Sequence, residues 1–510
     1  MAERSEMKKT LTLTGITVNA MALISPGSLF WLTYQLQAAN TDLAGKSTAM
    51  DIFWGLIAAL ILSFLTAFSY SYLATLYPEA GTGSSYYFAE RAFMDDPSIF
   101  PKFARLTKYV VGWFSHLYYW AYPGVTVAMF ATLTAYIAAA FGATLPVPVE
   151  ILVALVYALL VGYVAYRGIN GSTLSNLLIT VIQLVALVVI SVLAIAYRVI
   201  NPQHVQFVYQ NMLDVVKPHN FSAIMFQATI AIFLLVGFES ATALTAEAKS
   251  HKDIGKGVIV SLILQGLIFY VLAYFAAGAW MNNSYTVTVG KTVNHGFAAA
   301  AASSAPIGDM VTNLGNVFLH GNGFVLMIIV AATVAIALFG TTLACINTGV
   351  RITYAMSKDK EMPTVLGALH PRHAIPHTSI WILTGISFVL GAFGVLSITN
   401  LSAVTLISNV GTFILYAMTN LVTLVAFLRH PGRNRVKHTV VPVLGVLVNV
   451  AMLAAVFYLG IAGGGIGQQA SIIAITASVI WTVIGLVYFL GNSKKLNRKI
   501  VGNTPVAHNG

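Results

Sequence analysis

Read for the alternation of apolar and polar positions, the chain resolves into long apolar runs separated by short polar stretches. Twelve runs are long enough to matter, near 11–38, 51–77, 108–140, 149–166, 172–198, 223–247, 255–280, 324–357, 378–397, 402–428, 439–461 and 471–491. Runs of about 18 to 28 apolar residues match the length an α-helix needs to cross a hydrocarbon core. Within a bilayer only helices and closed barrels satisfy their own backbone polar groups, and barrel strands would alternate over about ten residues. The pattern therefore predicts an all-α polytopic membrane protein with 12 transmembrane helices.

Charge fixes the count and the orientation. With the N-terminus placed in the cytoplasm, 23 of the 27 Lys and Arg residues fall on cytoplasmic segments. Only Lys46, Arg198, Lys217 and Lys291 fall outside. This bias is what the positive-inside rule expects, and it requires an even number of spans with both termini cytoplasmic. Composition agrees: 58% of residues are hydrophobic and 8% are charged. That is too little polar surface for a soluble fold. The single cysteine, Cys345, excludes an intramolecular disulfide and a cysteine-based metal site. Met1 to Lys9 reads as a short charged tail, not a cleavable signal. Basic loops account for the high pI without a nucleic-acid partner, and the expected setting is the plasma (inner) membrane.

Two of the runs carry interruptions. The first contains Ile24-Ser25-Pro26-Gly27-Ser28-Leu29. Pro26 removes a backbone donor and Gly27 adds backbone freedom, so the helix should break there; a plain proline kink is the competing reading. The sixth contains Gly237-Phe238-Glu239. A carboxylate at this depth costs roughly 2.5–3.5 kcal/mol on insertion scales and normally faces a cavity or a partner. Paired interruptions in successive five-span blocks are the sequence pointer to an inverted-repeat transporter with its site at the midplane. An interrupted helix offers N–H groups to a carboxylate and carbonyls to an ammonium or a cation. The expected organisation is a tail at 1–10, a first repeat at 11–200, an outer loop at 201–222 and a second repeat at 223–430. Two peripheral spans at 431–491 and a C-terminal tail at 492–510 follow.

Several motifs resemble those of the amino acid–polyamine–organocation transporter superfamily, in its amino acid permease branch. They are Tyr70 to Gly81 with Ser84-Ser85-Tyr86-Tyr87, Gly112-Trp113, Gly237-Phe238-Glu239 with Ala246-Glu247-Ala248-Lys249, Arg351 to Pro363, and His377-Thr378-Ser379. The resemblance implies a leucine-transporter-type 5+5 inverted repeat with two additional C-terminal helices. It places the substrate between the breaks, with Ile24, Ser25, Pro26, Gly27, Ser28, Leu29, Gly237, Phe238 and Glu239 as binding candidates, to which the aromatic cluster of the third run adds Tyr119. It implies a carboxylate pocket at the first break and a gating or stacking aromatic at Phe238. Pro26 and Ser28 depart from the glycines that the family has there. Gln183 stands where several proton-coupled relatives carry a lysine, and a neutral amide supplies no fixed charge.

The coupling ion therefore stays open between proton, sodium and plain exchange. Glu239 could take up a proton. Thr341 and Thr342, with carbonyls around Met21 to Ile24, could line a sodium site, although most such threonines bond their own helix. His116 could relay protons, with a packing histidine the commoner case. Tyr118, Tyr119, Trp120 and Tyr122 offer rings to a cationic substrate or to their neighbours. The segment from Met281 to Gly323 should hold a short outer helix at Phe297 to Ser303, acting as a lid. The inner loop should hold an amphipathic interfacial helix around Tyr86 to Phe93. No Walker motif, metal cluster or cofactor signature is present. The expectation is a secondary amino acid permease or exchanger, with a polyamine or organic-amine transporter as the alternative and a channel or membrane-embedded enzyme behind both.

Overall fold

A computed structural model describes residues 11–24, 27–95, 101–168, 173–201, 204–371 and 375–501. Among the described residues, twelve helical spans are long and apolar enough to cross a membrane. They run Leu13–Ala39, Ala49–Leu76, Pro101–Ala140, Val147–Tyr166, Asn176–Ile200, Phe221–Leu244, His251–Trp280, Gly323–Lys358, His377–Val395, Ile398–Ala426, Val436–Ala462 and Gly465–Lys495; we number them spans 1 to 12. Their outward faces keep large apolar side chains exposed, among them Leu152, Val156, Leu447 and Val487. In water such a belt would be an aggregation site; against lipid tails it needs no cover.

Span 3 is the axis of the bundle, packed against spans 8, 9 and 10. Span 11 lies against spans 10 and 2, and span 12 against span 10. Span 12 also meets span 3 through aromatic stacks, with Trp113 and Trp481 centroids 4.6 Å apart and Tyr109 and Phe489 4.2 Å apart. Asn420 of span 10 ties that span to span 2: it accepts from Ser69 Oγ at 2.7 Å and donates to Thr66 Oγ1 at 3.0 Å, and Asn449 of the peripheral span 11 donates to the same Thr66 hydroxyl at 3.4 Å.

Spans 1 and 6 are both interrupted. Span 1 is helical over Leu13–Ile24 and again over Ser28–Ala39, with Gly27 at φ +91° between them. Span 6 is α-helical over Phe221–Ala231, tightens to a 3₁₀ turn at Ile232–Leu234, and resumes as 3₁₀ turns over Phe238–Glu247. Gly237, at φ +122°, makes that second turn. The Lys249 amide donates to the Leu11 carbonyl at 2.8 Å, so the start of span 1 meets the end of span 6. The two broken spans are therefore antiparallel neighbours. Span 7 departs from regularity as well, with a π-helical stretch at Ile263–Tyr270 between two α segments.

The end of the molecule richest in basic residues is closed by buried ion pairs. Lys108, 2% exposed, bonds Glu90 at 2.8 Å and Asp359 at 2.7 Å. Arg105 grips Glu361 with Nε at 2.7 Å and Nη2 at 3.0 Å, and Arg498 reaches the same carboxylate at 3.3 Å. Glu90 sits on the helix Ser85–Met94, where the amphipathic interfacial helix was expected. That helix is instead drawn into the protein: Tyr86, Phe88, Ala89, Ala92 and Phe93 are all buried, packed against span 3. Burial and the Asp359 carboxylate hold the Tyr86 hydroxyl far above the usual tyrosine range, so it stays a donor to Asp359 at 2.9 Å.

At the opposite end the segment after span 7 forms a hairpin, Thr286–Val289 with Thr292–His295, then helices Gly296–Ala302 and Pro306–Phe318. The first helix lies where a short helix was expected, at Phe297 to Ser303; the hairpin and the second helix were not foreseen. Both helices pack on the second half of span 1, Ser28–Ala39. Asp309 fastens them by accepting from Tyr136 at 2.9 Å, Tyr285 at 2.8 Å and Ser303 at 2.6 Å.

Candidate functional site

The site is built where the two interruptions touch. A Cβ added to Gly237 would lie 3.0 Å from Leu23 Cγ and 3.2 Å from Ile24 Cγ1, so the second break presses on the end of the first half-helix. A Cβ added to Gly27 would lie 2.5 Å from the Gln183 Oε1 atom of span 5. Glycine is required twice over at each break, by a positive φ that other residues resist and by the close approach. Of the first-break candidates, Ile24, Gly27, Ser28 and Leu29 gather here, and Ile24, Ser28 and Leu29 are all buried. Ser25 and Pro26 lie outside the described residues.

Glu239 is the chemical centre. It is 1% exposed, and its carboxylate accepts three hydrogen bonds. Tyr119 of span 3 donates to Oε1 at 3.0 Å, and Tyr416 of span 10 donates to Oε2 at 2.9 Å. The Gly237 amide, freed by the broken helix, donates to Oε2 at 2.9 Å. Bonds to a charged acceptor contribute about 1.5–3 kcal/mol each. Three of them offset the few kcal/mol that a carboxylate costs at this depth. Phe238 packs beside it, edge-on to Tyr70 at 6.1 Å and tilted against Tyr416 at 5.5 Å. The carboxylate is thus walled by aromatic rings, which suits a cation with an apolar body.

The other candidates divide. Gln183 stands against Gly27. Thr341 also reaches span 1: its hydroxyl lies 3.2 Å from the Ala22 carbonyl and 3.0 Å from Ala337 of its own helix. Thr342 points elsewhere, bonding Thr126 at 2.8 Å and Tyr157 at 2.9 Å, so the structure does not bring the two threonines together at the break. His116 is bonded at both ring nitrogens, with Nδ1 2.6 Å from the Gly112 carbonyl and Nε2 2.9 Å from Thr353 Oγ1. Its ring meets Trp120 edge-on at 4.9 Å, and Glu239 is not among its partners. Cys345 of span 8 is buried with its thiol 3.7 Å from the Tyr119 carbonyl.

Tyr416 escaped the sequence reading altogether. Nothing distinguishes it from other aromatics in an apolar helix, because its partner is 177 residues away in the chain.

The sequence model of the family described as "Amino acid permease" matches residues 9–489. The chain is 24% identical to a branched-chain amino acid permease of Lactococcus lactis, over 96% of this chain and 95% of that one. It is also 24% identical to a low-affinity putrescine importer of Escherichia coli, over 98% and 96% of the two chains. A methylthioribose transporter of Bacillus subtilis is 22% identical over 97% of this chain and 95% of its own.

Proposed function

This chain belongs to the amino acid permease family of membrane transporters, and on that premise we propose that it is a secondary permease or exchanger moving amino acids by alternating access. It is a multi-pass membrane protein and not an enzyme. Within the proposal, substrate sits between the breaks of spans 1 and 6, with its ammonium at Glu239 and the aromatic wall of Tyr119, Phe238 and Tyr416 around it. The observation that carries this reading is the Glu239 carboxylate, held in place by one released backbone amide and two tyrosine hydroxyls. A carboxylate so placed meets an ammonium without further partners.

The antiparallel course of the two broken spans supports two inverted repeats, 11–200 and 223–430, with 431–491 peripheral. The weight of basic residues supports placing the ion-paired end and both termini in the cytoplasm of a plasma-membrane protein. A second reading, an amine without a carboxylate, is favoured by the same Glu239 and by the putrescine importer among the relatives. Purified protein in liposomes should take up leucine or putrescine in saturable counterflow. Movement of neither, with sodium or proton gradients supplied, would sink the proposal.

A further inference from the structure

Two tyrosine hydroxyls of span 3, the helix that also carries Tyr119, have no hydrogen-bond partner in the protein. The hydroxyls of Tyr118 and Tyr122 are fully buried and bond to no side chain or backbone group. Four residues apart on span 3, they share one face of the helix. Their rings meet edge-on with centroids 5.7 Å apart. Tyr118 lies 4.2 Å from Tyr119, the ring whose hydroxyl holds Glu239. Tyr122 stacks at 4.4 Å on Phe233, just before the break in span 6.

A buried hydroxyl left unbonded costs about 1–3 kcal/mol, whereas phenylalanine would fill the same space without that cost. Packing alone therefore gives no reason for tyrosine at either position. Resting on the reading of Glu239 as the amine site, we propose that the Tyr118 and Tyr122 hydroxyls form the second half of the substrate site. They donate to an oxygen acceptor, carboxylate or hydroxyl, carried by the same molecule whose ammonium meets Glu239. A second ammonium fits this place poorly. Among the described residues Glu239 is the only acid deep within a span, so a dication would bring a charge with nothing to balance it.

The test uses full-length protein and four probes. L-Leucine, L-leucinol and 3-methylbutylamine share an amine and a branched side chain but differ in the oxygen; putrescine carries a second ammonium. Thermal-shift titrations and counterflow competition are run on wild type, Tyr118→Phe, Tyr122→Phe and the double variant. The ligand-free variants should melt at or above wild type, since an unbonded buried hydroxyl has been removed. Leucine or leucinol binding should weaken about tenfold or more in the double variant, while 3-methylbutylamine keeps its affinity. Leucine weakening alone assigns the acceptor as a carboxylate, and both weakening admits a hydroxyl. Equal loss for all probes, no loss for any, a drop in ligand-free melting temperature, or putrescine binding more tightly than leucinol would each overturn the subsite. Glu239→Gln separates the two readings: unchanged binding of every probe removes the amine site itself. A wild type that responds to none of the four removes both.

Discussion

Glu239 holds its place in an apolar setting because three donors converge on it, two of them tyrosine hydroxyls that can be removed singly. Glu239→Gln keeps the size but loses the charge, and the amide nitrogen would face donors on one side. We expect uptake to fall by about tenfold or more with the fold intact, as initial rates in liposomes and a size-exclusion profile would report. Tyr416→Phe should weaken substrate less than this, since two donors remain. The acid was visible in the sequence because a carboxylate in an apolar run demands an explanation, and Tyr119 because it lies in an aromatic cluster. Tyr416 was not, since an aromatic in a long apolar helix carries no positional mark. The adjacent pair Thr341 and Thr342 teaches a narrower lesson. Successive helical residues point about 100° apart. Only one of them could face span 1, and the apolar pattern alone does not say which.

The broken spans carry the clearest prediction among the elements. Gly27→Ala and Gly237→Ala each force a side chain into a positive-φ turn and into a neighbour, Gln183 in one case and Leu23 in the other. Backbone strain of this kind costs about 1–3 kcal/mol. Both variants should express and transport more weakly, with KM for uptake rising; an unchanged KM at either position would count against a site at the breaks. Interruptions were legible because they fall at corresponding places in two five-span blocks, whereas Pro123-Gly124 inside the unbroken helix of span 3 shows that the residue types alone do not mark a break. The helix Ser85–Met94 was legible as a helix but not as a buried one, because its burial depends on Glu90 finding Lys108. Removing Lys108 strands a buried carboxylate, a loss of about 3–5 kcal/mol. Lys108→Met should therefore lower the melting temperature, and Lys108→Met with Glu90→Gln should recover much of it in a double-mutant cycle. The same pairing explains why span 3 begins at Pro101 and not near 108: charged residues extend the helix past the apolar run once their charges are met.

At the scale of the whole molecule, one end is fastened by ion pairs among spans 3 and 8, an intervening helix and the chain's C-terminal stretch. The other is fastened by Asp309, and there burial and that carboxylate keep Tyr285 well above the ordinary tyrosine range and hence a donor. Asp309→Ala should free the helices over span 1, seen as faster hydrogen exchange across Tyr285 to Phe318 while spans 3 and 10 stay protected. All twelve spans could be read from length and hydropathy; the fastenings could not, because they join residues far apart in the chain. The placement of Cys345 gives the molecule a clock of its own. It is the chain's single thiol, walled in beside the residue that holds Glu239. A membrane-permeant maleimide can reach it only during the moments when span 8 draws away from span 3. Intact-protein mass measured against time then counts those moments without any engineered label, and a bound substrate that holds the site shut should slow the count.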